Sequence, residues 1–331
     1  MLKIGVFGAG HLGKIHMKLL KASEKFKLIG FYDPDKISLE KLNEEGNYKY
    51  FNSPIELINE VDVIDIVTPT NSHLEMAMMA IDNKKHVFIE KPISYLVEDA
   101  NKIINNAKKN KVLGQVGHVE RFNPAFKAVK KIIANPMFIE CHRLSEFNPR
   151  GTDVSVVLDL MIHDIDIILS LDKSKIKSIE ASGVSVVSKS PDICNARILF
   201  ESGCVANLTS SRISLKKMRK ARFFQKDTYI SIDYLFKKVE VVKIKDSSKA
   251  SNDLPLVIQN AEGEKKQIFF ENPSVIESNA ILEELESFAD SINNNIPPTI
   301  SLEDGRNALK IANKIISKIN LWWILLKTLN Y

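Results

Sequence analysis

The run Gly8-Ala9-Gly10-His11-Leu12-Gly13 constrains the fold of this chain more than any other stretch, because it lies between an apolar segment, residues 2–7, and a helix-forming one, residues 14–20. Strand, tight glycine turn and helix in that order are the fingerprint of a dinucleotide-binding unit. The first glycine makes the turn, the second lets the backbone approach a pyrophosphate, and the third lets the helix pack on its strand. The anion then rests on the unsatisfied N–H groups of the helix start, here His11, Leu12 and Gly13. Three glycines in ordinary turns would spell the same motif, so its context matters. A second strand, residues 26–32, ends at Asp33, 20 residues past Gly13, where the fold places a carboxylate on the adenosine ribose hydroxyls. That carboxylate would repel a 2′-phosphate, which favours NAD over NADP; Lys36 nearby argues the other way.

A chain of 331 residues is long enough for two domains with separate cores. Its formal charge of +5 is spread over mixed Lys, Glu and Asp, which reads as solvated surface and not as a nucleic-acid footprint. The densest basic run, residues 216–222, is the one place that suits an acidic ligand or partner, although an exposed loop explains it as well. Cys141, Cys194 and Cys204 have no metal-ligand spacing and cannot all pair, so no metal site is expected and the thiols are expected free in a reducing compartment. No basic segment with an apolar stretch precedes the first strand, which points to the cytoplasm. The tail Leu321-Trp322-Trp323-Ile324-Leu325-Leu326 is apolar but far short of the about 20 residues that span a bilayer. It reads as packing against the body or a second subunit, with no membrane partner expected.

Strand and helix patterns alternate through the first third. They predict a polar helix over 36–45, a short strand over 48–51, a helix opened by Ser53-Pro54, a strand over 61–67, a helix from 74 to 83, a strand over 86–89, a helix over 97–109 and a strand over 112–116. The expectation is a six-stranded, doubly wound parallel sheet. Ligands of such sheets gather at the carboxyl ends of strands. There stand Thr68, Pro69, Asn71 and His73, with Ser72 as the cap of the next helix, and also Glu90-Lys91-Pro92. Asn71 and His73 read equally well as turn residues, and a surface Lys-Pro is common; proline there can hold a cis bond.

Beyond Gly117-His118-Val119-Glu120-Arg121-Phe122-Asn123-Pro124 the rhythm changes to period two. Segments 137–145, 176–188, 193–200, 205–211, 220–225, 229–233, 238–244 and 266–270 predict a large, mostly antiparallel sheet, with 245–264 as a loop. One apolar helix, 156–169, carries Asp159 and His163 four apart on one face, and Asp166 one turn beyond. A satisfied core His–Asp pair is the plain explanation of these polar residues. Helices over 276–292 and 302–319 close the chain.

These residues resemble the Gfo/Idh/MocA oxidoreductases, through the glycine turn, Thr68 to His73, Glu90-Lys91-Pro92 and the Asp159…His163 pair. The resemblance implies an α/β N-terminal Rossmann domain (1–122) and an α+β C-terminal domain (123–331) whose open, mostly antiparallel sheet joins subunits into a homodimer or homotetramer, the last helix packing back on the first domain. It implies that Lys91 is the catalytic lysine at nicotinamide and substrate hydroxyl, and that Asp159 and His163 meet the sugar. Residues 117–124 look most like members acting on nucleotide sugars, the UDP-N-acetylglucosamine 3-dehydrogenase type, whereas the helix here lacks the glycines that many relatives carry around Asp159.

The chemistry expected of such a site is removal of a hydroxyl proton by His163 as hydride leaves the sugar carbon, with Asp159 or Asp166 orienting the ring and Lys91 stabilising the alkoxide. Arg121, Asn123 and Arg150 are candidates for the substrate's polar or phosphate groups, Arg150 serving equally as a surface charge. Two alternatives stay open: an NADPH-dependent reductase of another carbonyl or imine, and a non-catalytic NAD-binding sensor.

Overall fold

The computed structural model describes residues 1–35, 48–148, 154–246, 256–259, 263 and 265–328. The expected helix over 36–45, with Lys36, and the candidate Arg150 lie outside the described residues. Two compact units account for the chain: Met1–Phe122 with Asn279–Lys310, and Asn123–Ser278 with Ile311–Tyr331.

The first unit is built on five parallel strands, β1 (Leu2–Phe7), β2 (Phe26–Tyr32), β3 (Val63–Ile66), β4 (His86–Glu90) and β5 (Gly114–Gly117), in the order β2-β1-β3-β4-β5. Ile4, Val6, Ile64, Ile66, Val87 and Ile89 are all buried, as expected of strands covered on both faces. Helices α1 (His11–Lys21), α2 (Pro54–Glu60), α3 (His73–Asp82) and α4 (Val97–Asn110) connect them. Ser53 caps α2 by accepting the Glu56 N–H at 3.3 Å, with Pro54 at the first helical position. The sheet has five strands and not six. Tyr48 to Phe51 makes only an isolated bridge, Phe31 to Tyr50, before the Ser53 cap diverts the chain into α2. From β1 the chain steps to β2 on one side, while β3, β4 and β5 extend on the other. The carboxyl ends of β1 and β3 therefore form the switch-point crevice in which such sheets bind ligands.

A later helix, α7 (Ala280–Asn294), completes this core: Leu285, Phe288 and Ala289 pack with Ile4, Val6, Phe26 and Phe88. It starts four residues later than the apolar pattern predicts, because the Asn279 side chain accepts the N–H groups of Ile281 and Leu282 at 3.1 Å and fixes the cap there.

The second unit holds a nine-stranded sheet of order β13-β14-β12-β11-β10-β6-β9-β8-β7. The strands are β6 (Phe138–Leu144), β7 (Ile176–Val184), β8 (Ile193–Phe200), β9 (Val205–Ser211), β10 (Met218–Gln225), β11 (Thr228–Asp233), β12 (Lys238–Asp246), β13 (Leu256–Gln259) and β14 (Lys265–Glu271). All neighbours are antiparallel except β6 and β9. The expected loop over 245–264 thus contains the end of β12 and the whole of β13. Ile139, Cys141, Ala196, Ile198, Ala206, Leu208, Ala221, Phe223, Ile230 and Ile232 form the buried face. On the opposite face the register lines up Val205, Phe138, Phe224, Tyr229, Val242 and Phe270 across six strands, with Phe224 and Phe270 exposed.

Helix α5 (Pro124–Val129) enters this unit, and α6 (Ile162–Leu171) follows a π-helical turn over Val157–Met161. The last helix, α8 (Leu302–Thr328), runs on beyond residue 319. It opens with a reciprocal cap: Asp304 N–H donates to Ser301 Oγ at 3.1 Å and Ser301 N–H to Asp304 Oδ2 at 3.0 Å. Cys141, Cys194 and Cys204 are free and buried. Burial pushes the Cys194 thiol up to about 12 and, with Asp172 nearby, that of Cys204 to about 11, so neither is a nucleophile. Among the described residues no helix is long and apolar enough to cross a membrane, and no cluster of ligands suits a metal.

Candidate active site

The three glycines of the first turn have three different surroundings. Gly8 has φ +97°, and a Cβ there would lie 2.7 Å from the Val67 carbonyl oxygen. A Cβ on Gly13 would overlap the Gly8 carbonyl oxygen, so α1 rests directly on the turn. At Gly10 a Cβ would meet nothing within 4 Å. Gly10 is also the N-cap of α1 and supplies no side chain to its free N–H groups. Two glycines are thus demanded by packing, and the third leaves clear space in front of a helix N-terminus. That cradle fits a dinucleotide pyrophosphate.

Asp33, at the end of β2, is tied to the same turn. Its Oδ2 accepts the Ala9 N–H at 2.6 Å and its Oδ1 that of Asp35 at 2.9 Å. Past β3, Thr68 is half-buried with its hydroxyl oxygen enclosed and without a hydrogen-bond partner among the described residues, while Pro69 and Asn71 are exposed. Ser72 does not cap α3. Its hydroxyl donates to the Pro69 carbonyl at 2.8 Å inside a 3-10 turn over Thr70–Ser72.

His73 is buried, with Nδ1 2.9 Å from the Pro92 carbonyl and Nε2 2.9 Å from that of Thr68. Burial outweighs these contacts and holds the ring below the usual histidine range, so a neutral His73 donates to only one of the carbonyls. Both ring nitrogens of this expected cofactor contact are turned onto the protein, and the side chain braces the β3 turn against the β4 turn.

At the end of β4 the Lys91-Pro92 peptide is cis. Glu90 Oε2 accepts the Lys91 N–H at 3.2 Å, and Glu90 Oε1 lies 3.4 Å from Nε2 of His16 on α1. His16 Nδ1 is in turn 2.9 Å from Oδ2 of Asp65, in the middle of β3. Burial opposes a charge on His16, but Asp65 and Glu90 together raise its pKa well above 6.5. Burial likewise pushes Glu90 up, and His16 with Lys91 more than reverses it, so Glu90 stays ionised. Gly117, which pairs with Glu90 across β4 and β5, leaves room for that carboxylate: a Cβ would sit 2.7 Å from Oε1.

Arg121 and Asn123, expected as substrate contacts, both make contacts within the protein. Arg121 is buried, donates to the Thr299 carbonyl at 3.5 Å and lies 3.7 Å from Asp304 Oδ2, so it ties the exit of β5 to the approach of α8. Asn123 caps α5 through the Ala125 N–H at 3.1 Å and donates to the Tyr234 carbonyl at 3.2 Å. Both are occupied in holding the chain as it leaves the first unit.

In the second unit Asp159 is exposed and His163 half-buried. The segment between them is not the regular α-helix expected. Over four residues an α-helix overshoots a full turn by about 40°; the wider π turn at 157–161 removes part of that overshoot, which keeps both residues on one face. Asp164, next to His163, is buried and gripped by Arg143 of β6, whose Nε and Nη2 donate to Oδ2 at 3.0 Å and to Oδ1 at 2.8 Å. This bidentate pair pins the start of α6 to the sheet. Asp166 is buried.

The structure therefore gathers the glycine turn, Asp33, the Thr68-Pro69 turn, Glu90 and Lys91 at the carboxyl ends of β1 to β4. It places Asp159 and His163 together on one helix start. The family described as an oxidoreductase family with an NAD-binding Rossmann fold matches residues 2–118. UDP-N-acetylglucosamine 3-dehydrogenase of Acidithiobacillus ferrooxidans is 34% identical over 235 residues, covering 71% of this chain and 74% of that protein. The chain belongs to the Gfo/Idh/MocA oxidoreductase family. A further member, myo-inositol 2-dehydrogenase of Thermotoga maritima, is 27% identical over 333 residues, 94% of each chain. The solved structure of UDP-N-acetylglucosamine 3-dehydrogenase GnnA from A. ferrooxidans matches with a TM-score of 0.86 at 28% identity, covering 96% of this chain and 97% of that one.

In this Gfo/Idh/MocA oxidoreductase the residues that sequence reading passed over are His16 and Asp65. The signal was a lone carboxylate in the apolar strand Val63–Ile66 and a histidine on the sheet-facing side of α1. Each needs a partner once buried.

Proposed function

We propose that this oxidoreductase is an NAD-dependent dehydrogenase that oxidises a secondary hydroxyl of a nucleotide sugar, of the UDP-N-acetylglucosamine 3-dehydrogenase type, to a ketone. The observation that carries the reading is Lys91 at the end of β4, on the same strand-end crevice as the glycine turn and Asp33. The N–H groups of His11, Leu12 and Gly13 hold the pyrophosphate and Asp33 the adenosine ribose. When bound, the nicotinamide takes up the hydride. His163 accepts the hydroxyl proton, Asp159 on the same face orients the ring, and the Lys91 ammonium stabilises the developing alkoxide. The cofactor unit is Met1–Phe122 with Asn279–Lys310, and the substrate unit is Asn123–Ser278 with Ile311–Tyr331.

The reading places the protein in the cytoplasm, with free thiols, as a homo-oligomer. The apolar ladder from Val205 to Phe270 supports an interface between two copies across the open sheet, since aromatic residues in rows, with ring centroids at 5.8 Å for Phe138 and Phe224 and 5.0 Å for Phe224 and Tyr229, are an unusual solvent-facing surface.

The test is NADH formation from a panel of nucleotide and free sugars, with UDP-N-acetylglucosamine first. Lys91→Ala and His163→Ala should each cut turnover at least about a hundredfold, while NAD affinity survives His163→Ala. Near-normal turnover in both variants refutes the assignment of roles, and a clear preference for NADP refutes the role given to Asp33.

A further inference from the structure

Asp65, His16 and Glu90 come from three separate elements, β3, α1 and β4, and meet beneath the strand ends. Asp65 and His16 are buried completely, and the Glu90 side chain is 12% exposed. A neutral imidazole has one N–H and serves one carboxylate as donor. His16 faces two: Nδ1 hydrogen-bonds Asp65 at 2.9 Å, and Nε2 lies 3.4 Å from Glu90 Oε1 in an ion-pair contact without hydrogen-bond geometry, so two carboxylates flank the ring and favour its doubly protonated, charged form. With Lys91 next along the strand the charges alternate from the sheet interior to its edge: carboxylate, imidazolium, carboxylate, ammonium.

The far oxygen of Glu90 is the one that reaches the Lys91 N–H, at 3.2 Å. The near side of Glu90 faces His16, in the room that the missing side chain of Gly117 leaves for it. A buried His–Asp pair alone would satisfy α1 on the sheet. Extending it to Glu90 adds nothing to that packing, but it fixes the backbone and the charge environment of the residue that follows. The helix that carries His16 is also the one whose first turn faces the pyrophosphate cradle.

We propose that Glu90 is a positioning residue that sets Lys91, and that Asp65 and His16 are the buried relay that holds Glu90 in place. Glu90 acts through Lys91 and touches neither cofactor nor substrate, in contrast to its expected place among the cofactor contacts. The inference rests on the reading of Lys91 as the alkoxide-stabilising group.

The experiment compares Glu90→Gln, His16→Gln, their double variant and Lys91→Ala. Glu90→Gln keeps shape and loses charge; His16→Gln removes the imidazolium. Each single variant should lower kcat by about tenfold to a hundredfold, the scale of a small misplacement at a reacting centre, with KM for NAD and for the sugar unchanged within about threefold. The double variant should be no worse than the poorer single one, since both break one relay. On the cofactor-free protein, nitrogen NMR should show His16 doubly protonated at a pH where free histidine is neutral. If His16→Gln does not fold, His16→Gln combined with Asp65→Asn removes the stranded carboxylate and takes its place. Independent, additive losses, a rise in KM in place of a fall in kcat, or a neutral His16 ring each overturn the proposal. Lys91→Ala separates the two readings. If it keeps turnover, the role of Lys91 fails; if it is inactive while Glu90→Gln and His16→Gln turn over normally, only the relay fails.

Discussion

Gly10→Ala and Gly13→Ala should have opposite consequences, and the pair tests whether the glycine turn is a cofactor cradle. Gly10 has φ −64° and ψ −168°, which alanine adopts without strain, and its Cβ would meet nothing within 4 Å. The fold should change by no more than about 1 kcal/mol in either direction, as loss of backbone freedom in the unfolded chain offsets the poorer cap. For a unit of this size that is a shift in Tm of at most roughly 4 °C. If the turn is the cradle, the new methyl would stand where a pyrophosphate oxygen would come within hydrogen-bond reach of the α1 N–H groups. Losing one charge-assisted bond costs about 1.5–3 kcal/mol, or roughly a 10- to 150-fold weaker Kd. Gly13→Ala drives its methyl into the Gly8 carbonyl oxygen, and overpacking of that kind costs about 1–3 kcal/mol or more. Its Tm should fall by several degrees whether or not cofactor is present. Titration calorimetry with NADH gives Kd, and a thermal melt without cofactor gives Tm. Wild-type NADH affinity in a well-folded Gly10→Ala protein would falsify the cradle.

Three other perturbations have defined outcomes. Asp192 Oδ2 accepts the N–H groups of Val186, Val187 and Ser188 at 2.8, 2.7 and 2.9 Å, and although burial pushes the carboxyl up, these bonds hold it down at about 2. Because its folded pKa lies below the unfolded value of 3.8, its contribution, on the order of 2 kcal/mol, is complete above the unfolded pKa and fades as pH falls through the folded one. Asp192→Asn should therefore lose that stability at neutral pH and differ little from wild type in acid below the folded pKa; urea unfolding across pH measures this, and a pH-independent penalty contradicts it. Arg143→Met strands the buried Asp164 carboxylate and should cost about 3–5 kcal/mol, whereas Arg143→Met with Asp164→Leu should recover most of it; denaturant midpoints that show no recovery refute the pairing as the cause. Phe224→Asp, in the middle of the apolar ladder, should shift the mass seen by light scattering toward the monomer, and an unchanged mass removes the open sheet as the interface.

What could be read in the sequence was what local chemistry determines. The glycine turn, β1 and β2 follow from an apolar run broken by residues that only a tight turn needs. Strands β8 and β9 end where period two meets Ser, Gly or Asp, so their limits, Ile193–Phe200 and Val205–Ser211, were legible to the residue. The features that escaped depend on tertiary neighbours. The segment Val157–Met161 is written in good α-helical letters and still takes a π turn. Strand β13 is short and sits in a polar, Pro-containing stretch that reads as a loop. Arg121 looked available because arginines are seldom buried; Thr299 and Asp304, far along the chain, are what bury it. The partners of His16 stand 49 and 74 positions away, at Asp65 and Glu90, and no periodicity reports that they meet.

The help that Leu285, Phe288 and Ala289 give to the first sheet has a bearing on how the protein can be taken apart. The stretch recognisable as a kinship signature stops at residue 118, yet the hydrophobic interior of that stretch is finished by side chains encoded more than 160 positions downstream. A fragment ending at Phe122 would bare Ile4, Val6 and Phe88 to water and should be recovered as aggregate, whereas supplying residues 279–310 in trans or by fusion gives it a lid of its own sequence. Ribosomal order matters for the same reason: the nascent nucleotide-binding half must wait, unfinished, until nearly the whole chain has been made.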